Sequence, residues 1–377
     1  MIRPGGTLGV LGGGQLGRMF TAEARRMGYR VIVVDPDPEA PAAQLADRHL
    51  ARPWTDPEAL DELASCCDAV TTEFENVPSD AMRALAAHVP VRPSGDAVAV
   101  TQDRISEKAF LNEAGVVTAA WAALRTTGEA QAAWDAIGGG PAILKTARLG
   151  YDGKGQVAVA TLDEVRAGFR QLGEVTCILE RRVALEREIS VLVARAADGT
   201  TATWPIGENV HVNGILHTTV VPAAIPVTLA EHAARTATRV AEALGYVGVL
   251  AVECFVTTDG TLLVNELAPR PHNSGHWTLD ASATSQFEQQ VRITAGMPLG
   301  ETALLEPIAM ANLLGDLWPA DGVPAWERAL AVPGVRLHLY GKREARPGRK
   351  MGHLTASGPD AATALARVTT AWDALHD

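Results

Sequence analysis

Short apolar runs separated by helical segments open the chain. Thr7–Leu11 reads as a buried strand, followed by a helix expected to reach Met27 with Gly28 as its stop. Residues 29–34 form the next strand, ending at Asp35, and 68–72 form another. A helix from Ser79 and one over 101–114, stopped by Gly115, close this part, and the first domain boundary is placed there. Further along, 141–146 and 175–180 are apolar strands on either side of a glycine-rich stretch, and Glu188 opens a strand over 189–195. Asn213-Gly214 marks a hairpin turn, and Thr228 with Glu231 has the form of a capping box for a helix that ends at Gly245. A strand over 336–340 and a helix over 359–375 finish the chain.

The stretch 253–277 organises the rest. Asp259-Gly260 lies between two runs rich in Val, Leu, Phe and Thr, which predicts a hairpin with a two-residue turn. Counting back from that turn sets Glu253 directly opposite Glu266. Directly opposed residues have Cβ atoms ~4.5–5.5 Å apart. Two carboxylates at that distance repel by about 3 kcal/mol at an effective dielectric of ~20. Neither strand carries a Lys or Arg to relieve this. Either one carboxyl keeps its proton, or a hard cation such as magnesium sits between them. The following loop adds Arg270, His272, Asn273, Ser274 and His276, a density that suits an anionic substrate.

Composition narrows the class. The 377 residues suggest two or three domains, and 47% hydrophobic content supports a sizeable core. A net charge of −11 argues against general nucleic-acid or anionic-membrane binding. Cys66, Cys67, Cys177 and Cys254 form no C-x-x-C pair and no zinc spacing, which fits free thiols in a reducing compartment. No secretory signal or membrane-spanning run is recognised, so a cytoplasmic protein is expected.

Several other patterns carry candidate chemistry. Gly12 to Gly17 spell G-x-G-x-x-G inside a β-α-β unit with Asp35 at the end of the second strand, which keeps a nicotinamide-dependent oxidoreductase open as a rival. Glu73 and Asn76 follow a strand at the end where open parallel sheets bind ligands. Lys145 ends a strand before A-R-L-G-Y-D-G-K-G-Q, a glycine loop fit to cover phosphates, although it is not a Walker loop. Glu180, Arg181, Arg182 and Val183 leave a strand at a domain junction, and Glu188 follows. Lys342, Arg346, Arg349 and Lys350 cluster in an otherwise acidic chain, as a solvated face or a phosphomonoester site.

Five motifs together resemble the ATP-grasp superfamily and, within it, the N5-carboxyaminoimidazole ribonucleotide synthase family. They are L-G-G-G-Q-L-G-R-M from Leu11, T-E-F-E-N-V from Thr72, G-Y-D-G-K-G-Q from Gly150, E-L-A-P-R-P-H-N-S-G-H-W from Glu266 and R-P-G-R-K-M-G-H from Arg346. The resemblance implies an α/β ATP-grasp fold of three domains. These are an N-terminal Rossmann-like parallel sheet (1–115), a small central lid (116–184) and a C-terminal ATP-grasp domain (185–377). It implies ATP contacts from Arg104, Lys145, Tyr151, Asp152, Gly153, Lys154, Gly155, Gln156, Glu180, Arg181, Arg182, Val183, Glu188, His211, Asn265 and Glu266, and magnesium on Glu253 and Glu266. Tyr151, Arg270, His272 and Lys350 are the implied catalytic residues. Gly14, Gln15, Leu16, Glu73, Asn76, Tyr151, Asp152, Lys154, His272, Asn273, Ser274, Lys342, Arg349 and Lys350 are implied around bicarbonate and 5-aminoimidazole ribonucleotide. The glycine signature then passes from a nicotinamide cofactor to the ribonucleotide. A homodimer is also implied, and another ATP-grasp ligase of purine metabolism is the nearest alternative.

Overall fold

The computed structural model describes residues 1–150, 154–319 and 322–376. Four parallel strands, β1 (Thr7–Leu11), β2 (Arg30–Val34), β3 (Arg48–Leu50) and β4 (Ala69–Thr72), form the first sheet in the order β3-β2-β1-β4. β1 and β4 are buried throughout, which is why they read as unbroken apolar runs. Helices α1 (Gln15–Arg26), α2 (Pro57–Cys66), α3 (Ser79–Ala86), α4 (Gly95–Thr101) and α5 (Arg104–Glu113) belong to this part of the chain. Gly28 ends α1 with φ +84°, a conformation that favours glycine.

A second, antiparallel sheet has the order β5-β8-β6-β7, from β5 (Trp121–Leu124), β6 (Ala142–Thr146), β7 (Gln156–Val159) and β8 (Cys177–Arg181). Helices α6 (Ala130–Ala136) and α7 (Leu162–Gln171) close its core around Leu144, Phe169 and Leu179, all nearly inaccessible to water. Each such side chain contributes ~1.5–3 kcal/mol of burial.

The third sheet is antiparallel and nine-stranded. It contains β9 (Leu185–Arg195), β10 (Thr201–Thr203), β11 (Gly207–Val212), β12 (Ile215–Val221), β13 (Gly248–Thr257), β14 (Leu262–Ala268), β15 (Ile308–Leu314), β16 (Val335–Leu339) and β17 (Lys350–Ser357). β14 is one edge, and β13 then β9 lie beside it. Helix α8 (Val227–Ala243) packs on one face of β9 and β13. On the other side, α9 (Thr278–Ala281) precedes α10 (Gln286–Thr294). The α10 residue Gln290 donates to Thr71 Oγ1 in β4 at 2.7 Å and accepts from the Val249 amide in β13 at 2.8 Å, tying the first sheet to the third.

Two local expectations are corrected. Helix α8 begins at Val227 after Pro226, with no side-chain cap, so Thr228 lies inside the helix and the capping box does not form. Proline's fixed φ sets the start instead. The 259–260 turn is also longer than expected. The Thr257 amide donates to the Thr261 carbonyl at 3.0 Å, enclosing three residues, and only Gly260 has positive φ. A two-residue type I′ turn needs positive φ at both centres, as Asn213 and Gly214 provide with +53° and +78°. The extra loop residue displaces the ladder by one, and a bulge at Asn265 restores it. Glu253 therefore does pair with Glu266, by a different route from the one counted.

Candidate active site

The Glu253–Glu266 pair sits where three parts of the chain meet. Helix α5 presents Arg104, Glu107 and Lys108 at i, i+3 and i+4, one face of a helix. Arg104 Nη1 lies 2.7 Å from Glu266 Oε2, and Arg104 Nη2 donates to the Gly150 carbonyl at 3.0 Å. Burial disfavours the charged Glu266 carboxylate, but Arg104, with help from Lys145, outweighs it and holds the pKa at about 2. Glu253 Oε1 accepts from His272 Nε2 at 3.0 Å. The Ser274 amide donates to His272 Nδ1 at 3.3 Å, so the ring proton belongs on Nε2.

This corrects the electrostatic argument drawn from the strands alone. No basic residue lies in either strand, yet Arg104 and His272 reach the pair from a helix and a loop. Repulsion by itself therefore does not demand a cation. The donor set nevertheless fits magnesium, since two carboxylates leave most of an octahedral shell to phosphate oxygens and water. Among the described residues no group of three or more His, Cys, Asp or Glu could hold a metal unaided.

A second charge cluster adjoins the first. Glu180 in β8 is bracketed by Lys145 Nζ at 2.5 Å and Lys108 Nζ at 3.1 Å. Burial pushes this carboxyl up, and the two ammonium groups more than reverse it, to about 2. Glu107 behaves oppositely: burial, reinforced by the Glu266 charge, raises it to about 8 against the pull of Arg104 and Lys108. Glu188 Oε2 lies 2.5 Å from His211 Nδ1. Burial disfavours the imidazolium of His211, but Glu188 outweighs it and the pKa rises. Lys145, Glu180, Glu188, His211, Glu253 and Glu266 thus face one region between the second and third sheets, with Arg104 on its rim.

Other candidates are placed less directly. Arg181 and Arg182 are exposed, and the Arg182 amide donates to the Pro141 carbonyl at 2.9 Å just before Val183. Gln156 opposes Lys145 in the β6–β7 ladder, beside Lys154 and Gly155. Tyr151, Asp152 and Gly153 lie outside the described residues. Asn273 is buried in a reciprocal amide pair with Asn312, at 3.0 and 2.6 Å. Arg270 Nη2 pairs with Glu75 Oε2 at 2.6 Å, joining the catalytic-loop candidate to the turn after β4.

The glycine turn has an internal occupant. Glu73 Oε1 accepts from the Gly14 amide at 2.7 Å and Oε2 from the Gly17 amide at 3.1 Å, while Asp35 Oδ2 accepts from the Gly13 amide at 2.7 Å. Burial raises the Glu73 pKa despite these bonds. The chain's own carboxylates therefore take three amides of this turn, those of Gly13, Gly14 and Gly17. Leu16 is buried, and Asn76 is half-buried in the turn behind.

Outside that turn a cleft of about 290 Å³ is lined by Gly14, Gln15, Trp54, Glu73, Phe74, Lys342 and Arg349, among others. A second of about 190 Å³ adjoins it, with Arg343, Arg346 and Arg349 in its wall. The basic C-terminal segment is thus brought against the first sheet. Lys342 Nζ donates to the Lys350 carbonyl at 2.7 Å, and Arg343 pairs with Glu39. Sequence reasoning missed Glu75, Glu107, Lys108, Trp54 and Phe74. The T-E-F-E-N-V motif contained Phe74 and Glu75, and the i, i+3, i+4 spacing of Arg104, Glu107 and Lys108 signalled two more; nothing signalled Trp54.

Comparison with known proteins agrees over the length of the chain. An ATP-grasp domain family matches residues 109–287, a ribonucleotide synthetase preATP-grasp domain residues 6–102, and a phosphoribosylaminoimidazole carboxylase C-terminal domain residues 308–367. The N5-carboxyaminoimidazole ribonucleotide synthase of Brucella melitensis is 50% identical over 360 residues, covering 95% of this chain and 98% of its own. That of Bacillus subtilis is 42% identical over 372 residues, covering 99% and 97%. A crystal structure of the ADP complex of an N5-carboxyaminoimidazole ribonucleotide synthetase aligns with TM-score 0.92 at 40% identity, over 100% of this chain and 99% of that one. The Aspergillus clavatus enzyme, solved with ADP and 5-aminoimidazole ribonucleotide, aligns with TM-score 0.91 at 31% identity over 99% of each chain. The parallel first sheet, the small antiparallel second sheet and the opposed glutamates on the third are accounted for together: the chain belongs to the N5-carboxyaminoimidazole ribonucleotide synthase family of ATP-grasp proteins.

Proposed function

We propose that the chain is an ATP-dependent ligase that carboxylates 5-aminoimidazole ribonucleotide with bicarbonate, giving N5-carboxyaminoimidazole ribonucleotide, ADP and phosphate. The observation that carries this is the opposed Glu253–Glu266 pair beside Lys145 and Arg104, with a cleft that Lys342 and Arg349 line on the same molecule.

Bicarbonate is a poor electrophile, so it is activated first. Its oxygen attacks the γ-phosphorus of ATP, the bond to the β-phosphate oxygen breaks, and ADP leaves carboxyphosphate behind. The ribonucleotide's exocyclic nitrogen then attacks the carboxyl carbon. The carbon–oxygen bond to phosphate breaks, phosphate departs and the nitrogen loses its proton. Such transfers ask mainly for positioning and charge stabilisation. In this reading Lys145 and Arg104 bind the phosphates, and Glu188 and His211 flank the ribose. The backbone of 180–183 meets adenine. Arg270 and His272 orient bicarbonate, and Lys342, Arg349 and Lys350 hold the ribonucleotide phosphate beside Gln15. Glu253 and Glu266 would hold magnesium, which when bound supplies positive charge to the triphosphate. A homodimer working in the cytoplasm belongs to the same reading, supported by the family alone.

The test is to supply carbon-labelled bicarbonate with Mg-ATP and the ribonucleotide. One label per ADP formed, released by acid from an N-carboxylate, is expected. ADP formation without label transfer to the ribonucleotide would overturn the reading.

A further inference from the structure

Glu266 sits on the edge strand of the third sheet, next to a bulge. That is a weak place to fix a ligand. A bulge disrupts the ladder locally, and an edge strand has no neighbour on its outer side. The outward N–H and C=O groups flanking Glu266 are nevertheless satisfied. Glu107 Oε1 accepts from the Leu267 amide at 2.6 Å, and Lys108 Nζ donates to the Asn265 carbonyl at 2.7 Å. Both side chains belong to residues only 2% exposed, and both come from the face of α5 that carries Arg104. Lys108 also reaches Glu180 in β8, so one ammonium ties the second sheet to the edge of the third.

We propose that Glu107 and Lys108 are positioning residues for Glu266, holding the backbone on either side of it so that its carboxylate stays opposite Glu253. Helix α5 thereby acts in place of the missing neighbouring strand. Arg104, one turn earlier, engages the carboxylate itself, while Glu107 and Lys108 set where that carboxylate is. The inference rests on the reading of Glu266 as a ligand for nucleotide-borne metal.

The test titrates manganese against the full chain with ADP present, reading free Mn²⁺ by electron paramagnetic resonance. Amide exchange over 264–268 is followed in parallel. Glu107→Leu removes the acceptor, whereas Glu107→Gln keeps one. Glu107→Leu is expected to weaken Mn²⁺ uptake by about 10–100-fold, the usual effect of losing a partner behind a metal ligand, and to speed exchange at Leu267. Glu107→Gln restores both. Lys108→Met is expected to act in the same direction. Because it strands part of a buried carboxylate, its fold is checked first, and if it does not fold Glu107→Leu carries the test. A folded Glu107→Leu protein that takes up Mn²⁺ like the parent, with Leu267 still protected, overturns the positioning role alone. Absence of Mn²⁺ uptake by the parent chain with ADP overturns the metal reading, and this role with it.

Discussion

At the scale of single residues, the site is built from carboxylates pushed in opposite directions by what surrounds them. Glu180 is buried and Glu266 half-buried, but both face cations, and their pKa values fall to about 2. Glu107 is buried beside another carboxylate, and its pKa climbs from 4.5 to about 8. A raised folded pKa means stability that is fully present below the unfolded value and lost as pH rises through the folded one. Between about pH 4.5 and 8 the native state holds a proton at Glu107 that the unfolded chain has released, so stability falls with rising pH. The slope contributed is at most ~1.4 kcal/mol per pH unit. Glu107→Gln, which cannot titrate, should remove that component from chemical-denaturation curves compared across this range. Parallel pH dependences for variant and parent would contradict the assignment.

At the scale of elements, the strand-to-helix turn at Gly12 to Gly17 separates pattern from use. Three of its amides, those of Gly13, Gly14 and Gly17, already bond Asp35 and Glu73, the carboxylates that would meet a dinucleotide's pyrophosphate. A fluorescence titration with NADH should accordingly give no saturable binding, whereas a micromolar dissociation constant would reopen the oxidoreductase reading. Three of the four parallel strands of the first sheet, β1, β2 and β4, were legible because burial leaves apolar runs, whereas β3, with Arg48 exposed and His49 half-buried, was not. The Glu253–Glu266 pairing was legible too, though the three-residue loop and the bulge at Asn265 offset one another in a way that counting cannot foresee. Turn type depends on which residues take positive φ, and an Asp-Gly dipeptide permits more than one answer. The relief of that pair by Arg104 and His272 was not legible, since it joins residues 162 positions apart in the first case. Glu107 and Lys108 look like an ordinary helix surface until β14 is packed against them.

At the scale of the whole molecule, the ligand regions lie at junctions. The nucleotide candidates collect between the second and third sheets, and the basic segment near Arg349 closes a cleft against the first. No helix among the described residues is long and apolar enough to cross a membrane. Separate regions should separate kinetically. Arg349→Ala should raise the ribonucleotide KM by roughly 10–100-fold, the loss of one charge-assisted hydrogen bond, and leave the ATP KM near its parent value. Equal changes in both would move Arg349 out of the ribonucleotide site. In the proposed reaction, phosphate leaves ATP in order to activate bicarbonate for the ribonucleotide's amine. Phosphate release from Mg-ATP, measured with 5-aminoimidazole ribonucleotide in the presence and absence of bicarbonate, tests it most directly. Fast release that needs both, with only slow turnover when bicarbonate acts without the ribonucleotide, is the predicted result. Equally fast release in bicarbonate-free buffer, or none with every substrate present, would contradict it.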